Sequence, residues 1–449
     1  MNWKIGFASL GVLGVMGVTT AQTVTGRPVW RAESNQASAG FGSAVSAAGD
    51  VNGDGYGDII VGAYSFSGDL NNEGEAAVFY GSVVGPSKTP NWSAEGDAAY
   101  ANFGETVAGA GDVNGDGYDD VIVGAPQGGR ANVYFGSSSG LATIPSWTAN
   151  PGVYTFGWAV ANAGDVNGDG FDDVLVSELN YSNDQAYEGR VQVYLGSPTG
   201  PSAAPSWSVE GNQAYSWFGG AVAGAGDVNG DGYDDVIVGT PRWHNGQSGE
   251  GRALLFPGSA TGLATSPAWT VESDQAGAFF GSWVSSAGDV NGDGYDDVIV
   301  SANTLSSGEN FEGGAFVYQG SSSGLSTAPA WTTESDQFGA LGGAVSSGDL
   351  DGDGYGDVIV GYYAFNHGQV GEGAAFAFFG SPSGLATRPG WFAEGNQRDS
   401  MFGYSLSGAG DVNGDGFDDV VVGAYLFNAG QRDEGRAYAY LGSSRQRLR

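Results

Sequence analysis

Residues 50–58 read DVNGDGYGD, and segments of this form, D-x-N-G-D-G-x-x-D, occur seven times in the 449-residue chain. The sixth copy has Asp351 where the others have asparagine. Successive copies begin 53 to 62 residues apart, which is too long for a helical-hairpin solenoid and close to one four-stranded propeller blade. One structural unit is therefore used seven times. The copies begin at Asp50, Asp112, Asp165, Asp227, Asp289, Asp349 and Asp411.

Each copy has the residues of a calcium-binding loop. Ca²⁺ takes roughly six to eight oxygen ligands, and a tight loop supplies most of them when alternate residues point inward. In the first copy Asp50, Asn52, Asp54 and Asp58 occupy positions 1, 3, 5 and 9, and the main-chain carbonyl of Tyr56 occupies position 7. Glycines at positions 4 and 6 permit the necessary backbone turns. We call these segments the aspartate loops and predict up to seven Ca²⁺ ions, one per blade.

The predicted metal ligands occupy the same five positions in every loop. They are Asp50, Asn52, Asp54, Tyr56 and Asp58; Asp112, Asn114, Asp116, Tyr118 and Asp120; Asp165, Asn167, Asp169, Phe171 and Asp173; Asp227, Asn229, Asp231, Tyr233 and Asp235; Asp289, Asn291, Asp293, Tyr295 and Asp297; Asp349, Asp351, Asp353, Tyr355 and Asp357; and Asp411, Asn413, Asp415, Phe417 and Asp419.

Alternative loop types with an acidic, glycine-rich sequence fit less well. A single such loop is usually only a solvated turn, but seven in register argue against a plain turn. An EF-hand needs flanking helices and a glutamate at position 12, whereas position 12 of the first copy is Val61, within a β-type apolar run. Dockerin modules have two such loops on helices. RTX repeats recur every nine residues instead of about sixty.

Charge and composition restrict the partners. The chain has 50 acidic and 15 basic residues, a net charge of −35, which argues against nucleic acid and anionic membranes because both need a basic surface. Cysteine is absent, so disulfides and thiol chemistry are not available. Bound calcium would take the stabilising role that disulfides have in many extracellular proteins.

The N-terminus predicts export. Lys4 precedes an apolar stretch over residues 5–18 and then small residues, so residues 1–22 are predicted to be a cleaved signal peptide. The apolar stretch is short for a membrane span, and no second one follows. The mature domain, residues 23–449, is predicted to be secreted to the periplasm or the extracellular space. Residues 443–449 form a short basic tail.

A second repeated motif predicts how the repeats form a closed ring. Each repeat reads as four strands separated by turn residues, and the outer strand has the signature W-x-x-E. The first tryptophan strand precedes the first aspartate loop, and no such strand follows the seventh loop. A closed, seven-bladed β-propeller, in which the N-terminal strand completes the last blade, removes both exposed edges. The tryptophans are predicted to pack between blades. They are Trp30, Trp92, Trp147, Trp207, Trp269, Trp331 and Trp391.

Pairs of Phe-Gly residues before the aspartate loops, and Gly124-Ala125-Pro126 after one of them, identify a resemblance. The chain resembles the FG-GAP repeats of bacterial proteins and of the integrin α-subunit N-terminal propeller, over essentially the whole predicted mature chain. In that family Asp-rich loops bind Ca²⁺ in some blades, and the fold presents loops for protein or carbohydrate recognition. Blade 6 departs from the pattern, with Leu341-Gly342 and one residue fewer before Asp349. Integrin leg domains are not recognisable, so an integrin heterodimer is not implied.

The antiparallel topology of a blade places a ligand site on the face opposite the aspartate loops. The second connection of each blade, which is the loop between its second and third strands, lies on that face. Six of these loops end in Glu-Gly and many contain aromatic residues, which suit recognition but equally suit packing onto the blade. We predict a monomeric adhesion or recognition module for a protein or glycan ligand. The alternative is an extracellular glycosidase or lyase on the same scaffold; His244 and His367, the two histidines, belong to no recognisable catalytic triad.

Overall fold

The computed structural model describes residues 24–444. Within them, 28 β-strands form seven four-stranded antiparallel sheets, and no helix is assigned in that range. The predicted signal peptide, residues 1–22, lies outside the described residues, as does most of the basic tail. The predicted all-β propeller of seven blades is confirmed.

The strands follow one order in every blade, from the axis outward. In chain order they are β1 (Trp30–Glu33); blade 1, β2 (Phe41–Gly49), β3 (Asp58–Ala63), β4 (Glu75–Phe79) and β5 (Trp92–Glu95); blade 2, β6 (Thr106–Gly111), β7 (Asp120–Ala125), β8 (Arg130–Tyr134) and β9 (Trp147–Ala149); blade 3, β10 (Phe156–Gly164), β11 (Asp173–Glu178), β12 (Arg190–Tyr194) and β13 (Trp207–Glu210); blade 4, β14 (Ala221–Gly226), β15 (Asp235–Thr240), β16 (Arg252–Phe256) and β17 (Trp269–Glu272); blade 5, β18 (Phe280–Gly288), β19 (Asp297–Ala302), β20 (Gly314–Tyr318) and β21 (Trp331–Glu334); blade 6, β22 (Gly342–Gly348), β23 (Asp357–Tyr362), β24 (Ala374–Phe378) and β25 (Trp391–Glu394); and blade 7, β26 (Leu406–Gly410), β27 (Asp419–Ala424) and β28 (Arg436–Tyr440).

The N-terminal strand closes the ring. Strand β1 pairs antiparallel with β28, with Trp30 opposite Ala439 and Arg31 opposite Tyr438. Blade 7 thereby gains its fourth strand from the other end of the chain. The predicted closure is confirmed, and it satisfies the edge of β28 that would otherwise be open.

The second strand of each blade forms the core. All six residues of every second strand are buried, since neighbouring blades cover both faces of the sheet. Valine and isoleucine dominate these strands and suit a pleated surface that is covered on both sides. Hydrophobic clusters form between successive blades, as where Ile60 and Val78 of blade 1 pack with Val121 and Tyr134 of blade 2.

The seven tryptophans join neighbouring blades, as predicted. The ring of Trp30 meets that of Phe79 in the next blade edge-on at 4.9 Å, and its indole N–H donates to the carbonyl of Ser87 at 2.6 Å. The other six repeat both contacts, with indole donor distances of 2.8 to 3.1 Å. Each tryptophan therefore supplies apolar area and satisfies its polar atom at the same interface.

Blade 6 has one residue fewer than the other blades before its aspartate loop, and the strand pairing shows where that residue is missing. In blade 1 the pairing of β2 with β3 shifts between Ala47 and Gly49, which is a β-bulge just before the aspartate loop. In blade 6 the register shift lies earlier, between Gly342 and Val345, and from Val345 the pairing is continuous to Gly348 opposite Asp357. The residue that blade 6 lacks is the bulge residue, so its loop still begins at the same end of the sheet.

In residues 24–444 there is no helix of the length and apolarity needed to cross a membrane.

Candidate metal loops and the opposite face

The aspartate at position 1 organises each loop. In blade 1 one carboxylate oxygen of Asp50 accepts from the backbone N–H of Gly53 at 2.7 Å and of Asp54 at 3.1 Å, and the other accepts from Gly55 at 2.8 Å. The chain must curl around this side chain to make these bonds. The curl directs positions 3 and 5 to the same side as position 1, as the predicted ligand pattern requires.

The aspartate at position 9 is fully buried in all seven loops. Asp58 accepts from Val51 N–H at 3.1 Å and from Gly81 N–H at 2.8 Å, so it joins the loop to the third connection of the blade. The pKa of Asp58 is raised to about 7, chiefly by burial; the charges of Asp54 and Asp50 add to the rise, and the two hydrogen bonds oppose it. A cation between these carboxylates would relieve that destabilisation.

Among the aspartate loops of residues 24–444, blade 6 alone brings three carboxylates together, and its position-9 residue Asp357 is not one of them. One oxygen each from Asp349, Asp351 and Asp353 lies within 4.8 Å of the others, about twice a Ca²⁺–oxygen distance of ~2.4 Å. The donors are all hard oxygens, and the loop carries excess negative charge. The residues present therefore fit a calcium ion.

The aspartate at position 8, which the repeat pattern marks only as an added charge, links neighbouring loops. A carboxylate oxygen of Asp119 in blade 2 accepts from the N–H of Asp50 in blade 1 at 2.7 Å. Four further pairs repeat the bond. The backbone N–H of position 8 also donates to the position-1 carbonyl of the neighbouring loop, from Asp119 to Asp50 at 3.3 Å and, where position 8 is glycine, from Gly57 to Asp411 at 2.8 Å. In the sequence, the recurrence of aspartate at position 8 was the signal for this link between loops.

The six Glu-Gly motifs and the aromatic residues of the second connections have mainly structural contacts. Glu73 is 2 % exposed and accepts from the backbone N–H groups of Gly68 and Leu70 in its own loop. Arginines at the start of third strands hold loop aromatics against the blade: Arg190 lies 3.9 Å from the Tyr181 ring centroid and Arg252 lies 3.3 Å from that of Trp243. The aromatics folded in this way stabilise the rim of the propeller.

A central cavity on the same face was not predicted. It has a volume of about 530 Å³ and opens among the first strands and the starts of the second connections. Its lining includes Trp158, Trp217, Trp283, Tyr404 and Glu105. The sequence signal for this cavity was the residue directly after Phe-Gly, which is Glu105, Trp158 and Tyr404 in three repeats and a small residue in the others.

The cavity combines aromatic surface with one positive charge. The Arg242 guanidinium carbon lies 3.4 Å from the Trp217 ring centroid. Tyr404 packs against Tyr425 at 4.7 Å and Tyr363 at 5.5 Å between centroids, and burial raises the pKa of Tyr404, so its hydroxyl stays neutral. This arrangement can stack on a flat or apolar ligand group and donate hydrogen bonds.

Backbone strain occurs at the rim of this cavity. Trp217 and Phe279, which precede Phe-Gly, have φ values of +57° and +51°. Gly40 occupies the same position in blade 1, at +66°, and adopts that conformation without strain. Bulky residues in this region cost about 1–3 kcal/mol each, and such strain often marks a functional position.

The two histidines have different surroundings. The backbone N–H of His244 donates to the side-chain oxygen of Gln213 at 3.0 Å. His367 in blade 6 lies 2.6 Å from the carboxylate of Glu394. They lie in the second connections of blades 4 and 6, and these contacts do not assemble a nucleophile and base.

Comparison with known proteins agrees with this architecture. The FG-GAP repeat family matches seven segments, residues 41–79, 103–141, 156–194, 218–256, 280–318, 341–378 and 402–440. A structure of the WD40 domain of Toxoplasma gondii coronin superposes with a TM-score of 0.51 at 8 % identity, covering 93 % of this chain and 87 % of that one, which supports the propeller fold alone.

The molecule is thus a propeller built from aspartate-loop repeats. It belongs to the FG-GAP repeat family. Similar proteins include mouse integrin alpha-IIb, 40 % identical over 155 residues, 33 % of this chain and 15 % of that protein. Chicken integrin alpha-8 is 33 % identical over 213 residues, 44 % of this chain and 20 % of that protein. The chain therefore matches only a small part of these relatives' length.

Proposed function

We propose that this protein is a secreted, calcium-loaded propeller that recognises a protein or glycan ligand in adhesion, through the face opposite the aspartate loops. The central cavity is the observation that carries the proposal. It is concave, aromatic and lined by Trp217 and Phe279, which are strained in a positive-φ conformation that Gly40 adopts without strain in blade 1. The similarity to integrin alpha chains supports a role in adhesion.

Calcium has the supporting role in this proposal. The ligands would be the aspartate-loop residues, with Ca²⁺ compensating carboxylates that lie buried or close together. Because five position-8 aspartates connect successive loops, ion binding in one blade would also stabilise the contact with the next. Ca²⁺ bound only by the native state raises the unfolding free energy.

The calcium test is a melt with and without chelator. We expect EDTA to lower the melting temperature and excess Ca²⁺ to restore it. Mass spectrometry under native conditions should find bound ions, of which up to seven belong to the aspartate loops. An unchanged melt and an ion-free protein would contradict the calcium assignment.

The recognition test compares wild type with Trp217→Gly. Immobilised extracellular-matrix proteins and a glycan array serve as probes, with Ca²⁺ present throughout. Glycine relieves the strained backbone while removing the ring, so stability should change by only about 1 kcal/mol while binding falls at least tenfold. Trp243→Ala, which alters a rim aromatic outside the cavity, is the matched control and should keep binding. Binding that survives Trp217→Gly, or no binding to either panel, would contradict the proposal; cleavage of an arrayed sugar would favour the enzymatic alternative.

A further inference from the structure

Two repeated glutamates of the sequence, the one in Glu-Gly and the one in W-x-x-E, lie close together on the face of the second connections. In blade 4 one carboxylate oxygen each from Glu250, Glu272 and Asp274 lies within 4.8 Å of the others. In blade 5 Glu312, Glu334 and Asp336 do the same. The first member is the Glu-Gly glutamate, the second is the W-x-x-E glutamate and the third follows two residues later. We call these two groups the Glu triads.

The first glutamate of each triad has one committed oxygen and one orphaned oxygen. Glu312 is fully buried, and its Oε1 accepts from the backbone N–H groups of Ser307, Gly308 and Glu309. Its Oε2 is buried and has no hydrogen-bond partner among residues 24–444. Glu250, also fully buried, repeats this: Oε1 accepts from Asn245 N–H, and Oε2 finds no partner in the described chain.

A buried carboxylate oxygen without a partner is destabilising, and three carboxylates at this separation repel one another. No lysine or arginine lies within ion-pair distance of a Glu triad in the described structure. Arg252 lies opposite Glu272 in the β16–β17 pairing and interacts with its charge, so the blade 5 triad is the less compensated of the two. A bound cation would satisfy the orphaned oxygen and neutralise the repulsion together.

We propose that each Glu triad binds one Ca²⁺ ion, giving two cation sites on the face opposite the aspartate loops. The three carboxylates supply three to five hard oxygens, because one oxygen of the first glutamate is committed to backbone N–H groups and the other two carboxylates bind through one oxygen or two. Water completes the shell on the solvent side, where the aspartate is exposed. These sites are separate from the loop ions and lie beside the second connections that surround the central cavity. They would fix those loops on the recognition face.

Other blades provide natural controls, and in blade 3 the buried Glu188 also has an Oε2 without a partner in the described chain, so the third residue is what distinguishes the Glu triads. Blades 3, 6 and 7 have asparagine at the third position, Asn212, Asn396 and Asn35, with φ of +54°, +52° and +56°, close to +54° for Asp274 and +52° for Asp336. Asparagine therefore fits the backbone at this position. In blade 1 the corresponding Asp97 pairs with Arg130 of the next blade and is already neutralised.

The experiment counts bound calcium by equilibrium dialysis of the full chain at millimolar free Ca²⁺. The variant Asp274→Asn/Asp336→Asn should bind two ions fewer than wild type and remain folded, because three sister blades carry asparagine there. The variant Glu272→Gln/Glu334→Gln should show the same loss. Asp97→Asn, the matched control, should keep the wild-type count.

Equal counts in wild type and both double variants would overturn the proposal. Loss of ions in Asp97→Asn would also overturn it, since the effect would then come from general surface charge. The result is read as a difference between chains with identical aspartate loops. It therefore does not depend on whether those loops bind calcium or on the proposed recognition function.

Discussion

Replacing Trp30 by alanine tests whether the N-terminal strand holds the ring closed. Trp30 is 6 % exposed and lies on β1, the strand that completes blade 7. Its ring packs on Phe79 and its indole N–H donates to Ser87, so one side chain connects the closing strand to blade 1. Loss of the ring should weaken the contact between the two ends of the propeller.

The expected magnitude follows from these contacts. A buried tryptophan replaced by alanine costs about 3–5 kcal/mol, because the cavity adds to the lost apolar burial. Trp30→Phe keeps most of the apolar area but orphans the Ser87 carbonyl, so it should cost only about 1 kcal/mol. Val84, 86 % exposed, provides a control whose alanine variant should change stability by less than about 0.5 kcal/mol.

The assay is urea unfolding followed by far-ultraviolet circular dichroism, with Ca²⁺ in excess throughout. The order of stability should be wild type and Val84→Ala, then Trp30→Phe, then Trp30→Ala. If Trp30→Ala unfolds within about 1 kcal/mol of Val84→Ala, the closing contact is not a main source of stability and the reasoning is wrong.

Two further substitutions have sharp expectations. The pKa of Glu75 is raised to about 7, chiefly by burial, and the negative charge of Glu95, the residue opposite it in the sheet, adds to the rise. The contribution of Glu75 to stability is therefore fully present below about pH 4.5 and is lost as pH rises through 7. Glu75→Gln should accordingly be more stable than wild type at pH 8, by up to about 3 kcal/mol, and equal to it near pH 4.5; equal melts at both pH values would refute this. Gly53→Ala should destabilise more than Gly55→Ala: both have positive φ, but the added Cβ would lie 2.5 Å from the Tyr118 ring at Gly53 and meets nothing within 4 Å at Gly55. Equal losses in the two variants would show that the ring moves aside freely.

The repeat arithmetic alone predicted the main architecture. Seven aspartate loops and seven tryptophan strands, offset at the two ends of the chain, require a closed ring because an open array would leave strand edges unpaired. The role of Trp30 and the pairing of its strand with residues near 438 followed from that offset. Periodic information of this kind is local and repeated, so it can be read without knowledge of tertiary contacts.

The features on the recognition face depended on tertiary structure. Trp217 and Tyr404 are far apart in the chain and line the same cavity only because the first strands converge on the axis. Glu312 and Glu334 are 22 residues apart and become neighbours through the pairing of β20 with β21, where Gly314 is opposite Glu334. The sequence determined which residues recur, whereas antiparallel pairing and the rotation between blades decided which of them meet.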